Sequence, residues 1–113
     1  VNFSLDSDTL NKIRRAAGAL GHTEMSISNT QGAVRLSIVD SANATSNVFS
    51  IDVEGSYPEG TEFNFIMNVN NLKVVDEDFH VMISSKLISH FTSKQSDIEY
   101  FIALEKSSTY KGV

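Results

Sequence analysis

The chain contains no cysteine, a single proline and six scattered glycines. Without thiols, disulfide frameworks and thiolate metal sites are excluded, and nothing in the composition argues for an oxidising compartment. The dispersed glycines leave no phosphate-cradling loop, so nucleotide hydrolysis is not expected. Serines are plentiful, yet none sits in a Gly-x-Ser-x-Gly elbow, which removes the usual signal of an activated serine nucleophile. The longest uninterrupted apolar run, Tyr100 to Leu104, is far short of a membrane span. The first residues lack a charged start followed by an apolar signal core. The expectation is a soluble, cytoplasmic protein that is not an enzyme and needs no cofactor or metal. The sequons at Asn2 and Asn43 would matter only in a secreted chain, which nothing here supports.

What is present is enough for one hydrophobic core: 113 residues, 41% of them hydrophobic, suit one domain rather than two. The formal net charge is −5, yet Lys12, Arg14 and Arg15 fall within four consecutive residues. On a helix over residues 7–20, Leu10, Ile13, Ala17 and Leu20 share one face, and Lys12 and Arg15 emerge almost opposite it. Charge is segregated elsewhere too. Between Leu36 and Leu72 there is no lysine or arginine, whereas Asp40, Asp52, Glu54, Glu59 and Glu62 all lie there. From charge alone, the cationic island is most simply a solvated helix face.

Most of the remaining sequence alternates at period two: Met25 and Ile27, then Val34, Leu36 and Ile38, then Phe49, Ile51 and Val53. These predict three short strands in a meander, separated by the turn-like Asn29 to Gly32 and the polar stretch Ser41 to Asn47. The proline lies in Ser56 to Gly60, just before the clearest alternation, Phe63, Phe65, Met67 and Val69. From Asn70 the spacing of Leu72 and Val75 predicts a short helix with Lys73 on its exposed side. Three further strands are expected at 79–84, 87–92 and 98–104, the first two linked tightly near Lys86, and a brief strand at Phe3 and Leu5 opens the chain. The predicted fold class is α+β, with two helices packed on one side of largely antiparallel sheets.

His22, His80 and His90 lack the spacing of a metalloprotease helix, although His80 and His90 could approach each other across a hairpin. Asp76, Glu77 and Asp78 lack the spaced ligands and central glycine of a calcium loop, and a solvated acidic turn is the better reading. Phe63 and Phe65 have no basic, glycine-rich surroundings of an RNA-recognition sheet and are read as core. The helix cations lack interleaved aromatics, which leaves sequence-independent phosphate contact as the nucleic-acid option. In the last strand Ile98, Tyr100, Ile102 and Leu104 alternate on one face while Phe101 and Ala103 make the other apolar. Such a strand is expected to be covered on both sides, either as a central strand or by a partner's peptide in a shallow pocket.

Two blocks carry a family resemblance. Glu62 to Val75, EFNFIMNVNNLKVV, and Tyr100 to Thr109, YFIALEKSST, resemble a strand with its short helix and the final strand with its tail in the C-terminal half of sliding clamps of T-even-type bacteriophages. Those clamps are the processivity factors of the phage replicative DNA polymerases. The opening LDSDTLNKIRRAAGAL is similar to the family's first helix, and the intervening hairpins match in pattern. The resemblance implies that the chain, which begins at Val1, is one clamp-like domain over 1–113, the C-terminal half of a longer two-domain subunit. Three such subunits would form a homo-trimeric ring around double-stranded DNA in the cytoplasm of an infected bacterium, contacting phosphates without sequence preference. The replicative polymerase and a clamp loader would be its partners. Arg15 corresponds to a basic residue of the pore-lining helix, with Lys12, Arg14 and Lys73 as neighbouring DNA-facing candidates. Gly18 stands where related clamps can carry another cation, so the charge pattern is sparse. Phe101 and Ala103 fall beside the family's partner-peptide pocket. The alternative from another class is a peptide-binding or structural β-rich domain whose basic helix faces an acidic partner.

Overall fold

The computed structural model describes residues 1–21, 23–40, 43–72 and 76–111, the side chains of residues 40 and 43–48 excepted. The period-two segments form strands that assemble into two five-stranded sheets. One sheet holds β1 (Asn2–Leu5), β5 (Gly55–Ser56), β7 (Phe79–Ile83), β8 (Ile88–Ser93) and β9 (Glu99–Ala103), in the order β5-β1-β7-β8-β9. The other holds β2 (Glu24–Thr30), β3 (Ala33–Asp40), β4 (Asn43–Val53), β6 (Glu62–Asn68) and β10 (Thr109–Lys111), in the order β10-β6-β2-β3-β4. Every pairing is antiparallel. Alternate residues of each strand therefore point inward, as period two requires. Phe3, Leu5, Phe79, Val81 and Phe91 from one sheet join Met25, Ile27, Leu36, Ile38, Phe65 and Met67 from the other in a single core. Phe63 and Phe65 are both buried within it, their rings stacked at 5.2 Å.

The helix α1 (Ser7–Leu20) starts where Asp6 adopts an extended conformation and its carboxylate accepts the Thr9 backbone N–H at 2.7 Å, which satisfies one otherwise orphaned first-turn amide. Leu10, Ile13 and Ala17 are buried on its inner face, as their spacing demands. Leu20, on the same stripe, is 42% exposed. It lies in the last turn, immediately before the helix is closed by Gly21 at φ 69°, whose N–H returns to the Ala17 carbonyl. That left-handed conformation suits a residue without a Cβ.

The expectation of two helices on one side of the sheets is corrected. Among the described residues α1 is the one α-helix, and the segment after β6 is a single 3₁₀ turn, Val69–Leu72. Val69 and Leu72 are both buried, and a spacing of three eclipses them on one side of a 3₁₀ turn as readily as on an α-helix. The Asn68 carboxamide oxygen accepts the Asn70 N–H at 2.9 Å, which satisfies an amide in the first turn as a capping residue does. Lys73 and Val75, assigned to that helix from the sequence, lie outside the described residues, as does His22.

Of the two readings of the last long strand, the central-strand one does not hold for β9, which is the outer strand of its sheet. Its inward residues Tyr100 and Ile102 pack on the core, whereas Phe101 and Ala103 face outward and are exposed. Two strands were not foreseen: β5 and β10 are too short for a period to show. β4 begins within the polar stretch read as a connection, and its pairing with β3 continues through Val39↔Asn47 and Asp40↔Asn43 across irregular register.

Gly55 shows how tightly the sheets approach. A Cβ there would lie 2.6 Å from the Asn2 carbonyl oxygen, 2.7 Å from Val34 Cγ2 and 2.8 Å from Phe3 Cβ. Only glycine fits between β1 and β3 at that point.

Candidate DNA-facing helix and partner groove

The cationic island of α1 divides once the helix is docked. Lys12 and Arg15 are exposed on the side away from the core, where the sequence placed them. Lys12 pairs with Asp8 one turn earlier, Nζ to Oδ2 3.1 Å, with both side chains largely in solvent. Such an exposed i,i+4 pair contributes about 0.3–0.5 kcal/mol and leaves the ammonium accessible. Among the described residues Arg15 makes no ion pair. Arg14 is different: its Nε donates to the Leu72 carbonyl at 2.9 Å and its Nη2 donates to the same oxygen. The residue is half-buried and ties α1 to the last residue of the 3₁₀ turn.

The acidic turn after that segment is a structural clamp. Asn11 of α1 donates to Asp76 at 3.1 Å, the Ser7 N–H donates to Asp78 at 2.8 Å, and Gln95 both donates to the Asp78 carboxylate and accepts the Asp78 N–H. Glu77 accepts from the hydroxyls of Ser93 and Ser96. These carboxylates join the start of α1 to the β8–β9 turn. Among the described residues no three histidine or acidic side chains gather as a metal site.

His80 and His90 share the outer face of their hairpin, but the register sets His80 opposite Thr92 and His90 opposite Met82. His90 is instead engaged by β9: its Nε2 lies 3.0 Å from Glu99 Oε2. Its ring stacks on Phe101 with centroids 4.3 Å apart and planes 5° from parallel.

Phe101 is 67% exposed, and Met82 and Ile88 on the same face are 51% and 45% exposed. Together with Asn2, Ser84, Lys86 and His90 they wall a groove of about 440 Å³. Ala103 faces the same way, opposite Ile88, but stands outside the groove wall. The sequence singled out Phe101 and missed Met82, Ile88, Lys86 and His90. The signal was there: a hairpin turning near Lys86 brings 82 opposite 90, and an antiparallel third strand brings 101 opposite 90.

Among the described residues no helix is long and apolar enough to cross a membrane. A sequence model of the family described as "gp45 sliding clamp, C terminal" matches residues 2–106. A curated relative, the "Sliding clamp" of Vibrio phage KVP40, is 32% identical over 105 residues, covering 91% of this chain and 46% of the relative. The chain thus spans about half the length of the curated relative it matches. With the match running from β1 into the tail beyond β9, this chain belongs to the gp45 sliding clamp C-terminal domain family.

Proposed function

We propose that the chain is the C-terminal domain of a two-domain clamp subunit, three copies of which close around duplex DNA in an infected bacterial cell and tether the replicative polymerase, with a loader placing the ring. The role is mechanical and uses no catalytic residue. The observation that carries this reading is the outward placement of Lys12 and Arg15 on the helix of a clamp-family domain. Two accessible cations on an acidic body suit passage over phosphates: they attract the duplex without reading bases, and the negative charge elsewhere discourages adhesion to the outside of DNA. Phe101, at the groove beside the last strand of its sheet, is the residue we assign to partner-peptide binding, with Ala103 at its margin. Lys73 is assigned to the DNA side with Lys12 and Arg15.

The test is polymerase processivity on primed DNA with the assembled clamp across a salt series. Replacing both Lys12 and Arg15 by alanine is expected to lower processivity and flatten its salt dependence, because every phosphate left un-neutralised keeps its condensed counterion and takes about one unit off the slope. Processivity unchanged at every salt concentration would refute the assignment of this helix face to DNA.

A further inference from the structure

Leu104, whose N–H donates to the Leu87 carbonyl at 2.9 Å, is the last buried residue among those described. Beyond it the chain turns, the Ser108 N–H donating to the Glu105 carbonyl at 3.0 Å, and lays β10 along the outer side of β6. All three residues of β10 are exposed, so the strand adds little to the core. β6 does not depend on it for its place, because on the other side it pairs with β2 through Asn64 to Asn68. A short, solvent-exposed edge segment joined to the body through Leu104 belongs to the part of a fold that opens while the rest stays closed.

The edge that β10 covers has a defined chemistry. Ile66 meets the tail with both backbone groups: its N–H donates to the Ser108 hydroxyl at 2.8 Å, and its carbonyl accepts the Glu105 N–H at 2.8 Å. The Tyr110 ring stacks on Phe65 with centroids 6.0 Å apart and planes 14° from parallel, which carries the Phe63–Phe65 stack out to the surface. Lys111 stands opposite Glu62 in the register, and Thr109 opposite Asn64. A cavity of about 490 Å³ opens beside this pairing, between Asn29, Phe63 and Tyr110. With the tail lifted, β6 presents a row of unpaired backbone groups, a template for another strand.

We infer that the β6 edge is a strand-addition site held in cis by the chain's own tail, and that it takes from a partner protein an extended segment of the same chemistry. That segment carries a hydroxyl residue level with Ile66, an aromatic ring two residues later seated over Phe65, and next to it a cation opposite Glu62. Main-chain bonds to β6 supply the attraction, and the ring and the cation supply the selection. The site lies on the sheet that does not contain Phe101. The tail is its resident competitor: a tethered segment acts at an effective concentration on the order of millimolar, so an incoming segment binds weakly until the tail's hold is loosened. The device therefore has a signature that a simple surface patch lacks, because damage to the tail strengthens binding in trans.

The test is fluorescence-anisotropy titration of the 113-residue chain with a labelled peptide copying Glu105 to Lys111, blocked at both ends. The Tyr110→Ala chain is expected to bind the peptide roughly two- to tenfold more tightly than the parent, the weight of one aromatic pair. Adding Ser108→Ala to that chain should raise the affinity further. The peptide carrying Tyr110→Ala or Lys111→Glu should bind each chain more weakly, the second because like charges then face each other at Glu62. Because the chain has no cysteine, Asn64→Cys with Thr109→Cys sets a single pair of thiols directly across the β6–β10 ladder. Oxidation should lock the tail down and abolish peptide binding, and reduction should restore it. Failure of both tail-weakened chains to bind the peptide more tightly than the parent, absence of binding to any of them included, would overturn the inference. Equal binding to the oxidised and reduced forms would overturn it too, by placing the peptide elsewhere on the surface.

Discussion

Replacing Arg14 by methionine separates a structural cation from the neighbours on α1 that we propose face DNA. The substitution keeps an unbranched apolar stem and removes the guanidinium whose Nε and Nη2 both donate to the Leu72 carbonyl. A hydrogen bond from a charged donor contributes about 1.5–3 kcal/mol, and leaving a buried acceptor without a partner lies in the same range. Leu72 is fully buried, so its carbonyl has no easy substitute in solvent. With an unfolding entropy of about 2.1 cal/mol/K per residue, the 113-residue chain loses roughly 0.24 kcal/mol/K, and about 1.5–3 kcal/mol corresponds to a fall in Tm of about 6–13 °C. Arg15→Ala, a surface change, should stay within about 2 °C of the parent. Arg14→Lys should recover part of the loss, because a point charge on a flexible stem cannot reproduce the two-nitrogen fork. The assay is thermal unfolding followed by circular dichroism, with urea midpoints as a second measure. Equal melting temperatures for Arg14→Met and Arg15→Ala would refute the bridge as a stabilising interaction.

Two further outcomes follow from local chemistry. The Thr9 backbone N–H, and then the Thr9 hydroxyl, hold the Asp6 carboxyl below its ordinary range. A carboxylate depressed in the folded state contributes stability that is present above its unfolded pKa and lost as pH falls through the folded one. Asp6→Asn, which still caps, should therefore lose less stability than the parent on acidification below about pH 4, whereas Asp6→Ala should cost about 1 kcal/mol at neutral pH; parallel pH-dependent melts distinguish them. Gly55→Ala forces a methyl group against a backbone oxygen and two packed side chains, an overpacking expected to cost about 1–3 kcal/mol. A urea midpoint equal to the parent's would show that β1 and β3 separate freely at that point.

Much of the fold is legible in the sequence because period and sterics are local. Phe63, Phe65 and Met67 alternate with Glu62 and Asn64, and the strand buries the first set and exposes the second as written. Leu10, Ile13 and Ala17 recur at helical spacing and are buried. The second helix is not legible, because a spacing of three suits a 3₁₀ turn and an α-helix alike. The groove is half legible: Phe101 stands out as an apolar residue on the second face of its strand. Met82, Ile88 and Lys86 become its neighbours only through hairpin register.

By itself the sequence determined which residues face inward along the longer strands and along α1 as far as Ala17, where α1 begins and ends, and the family to which the blocks around β6 and β9 point. Those properties depend on backbone period, capping groups and side-chain order, all of which lie within a few residues of one another. Tertiary structure alone decided that Arg14 turns back to the Leu72 carbonyl, because the guanidinium finds its acceptor 58 residues away. It also decided that β9 lies at a sheet edge with Phe101 open to solvent, since alternation marks the two faces of a strand and carries no information about which strand lies beside it.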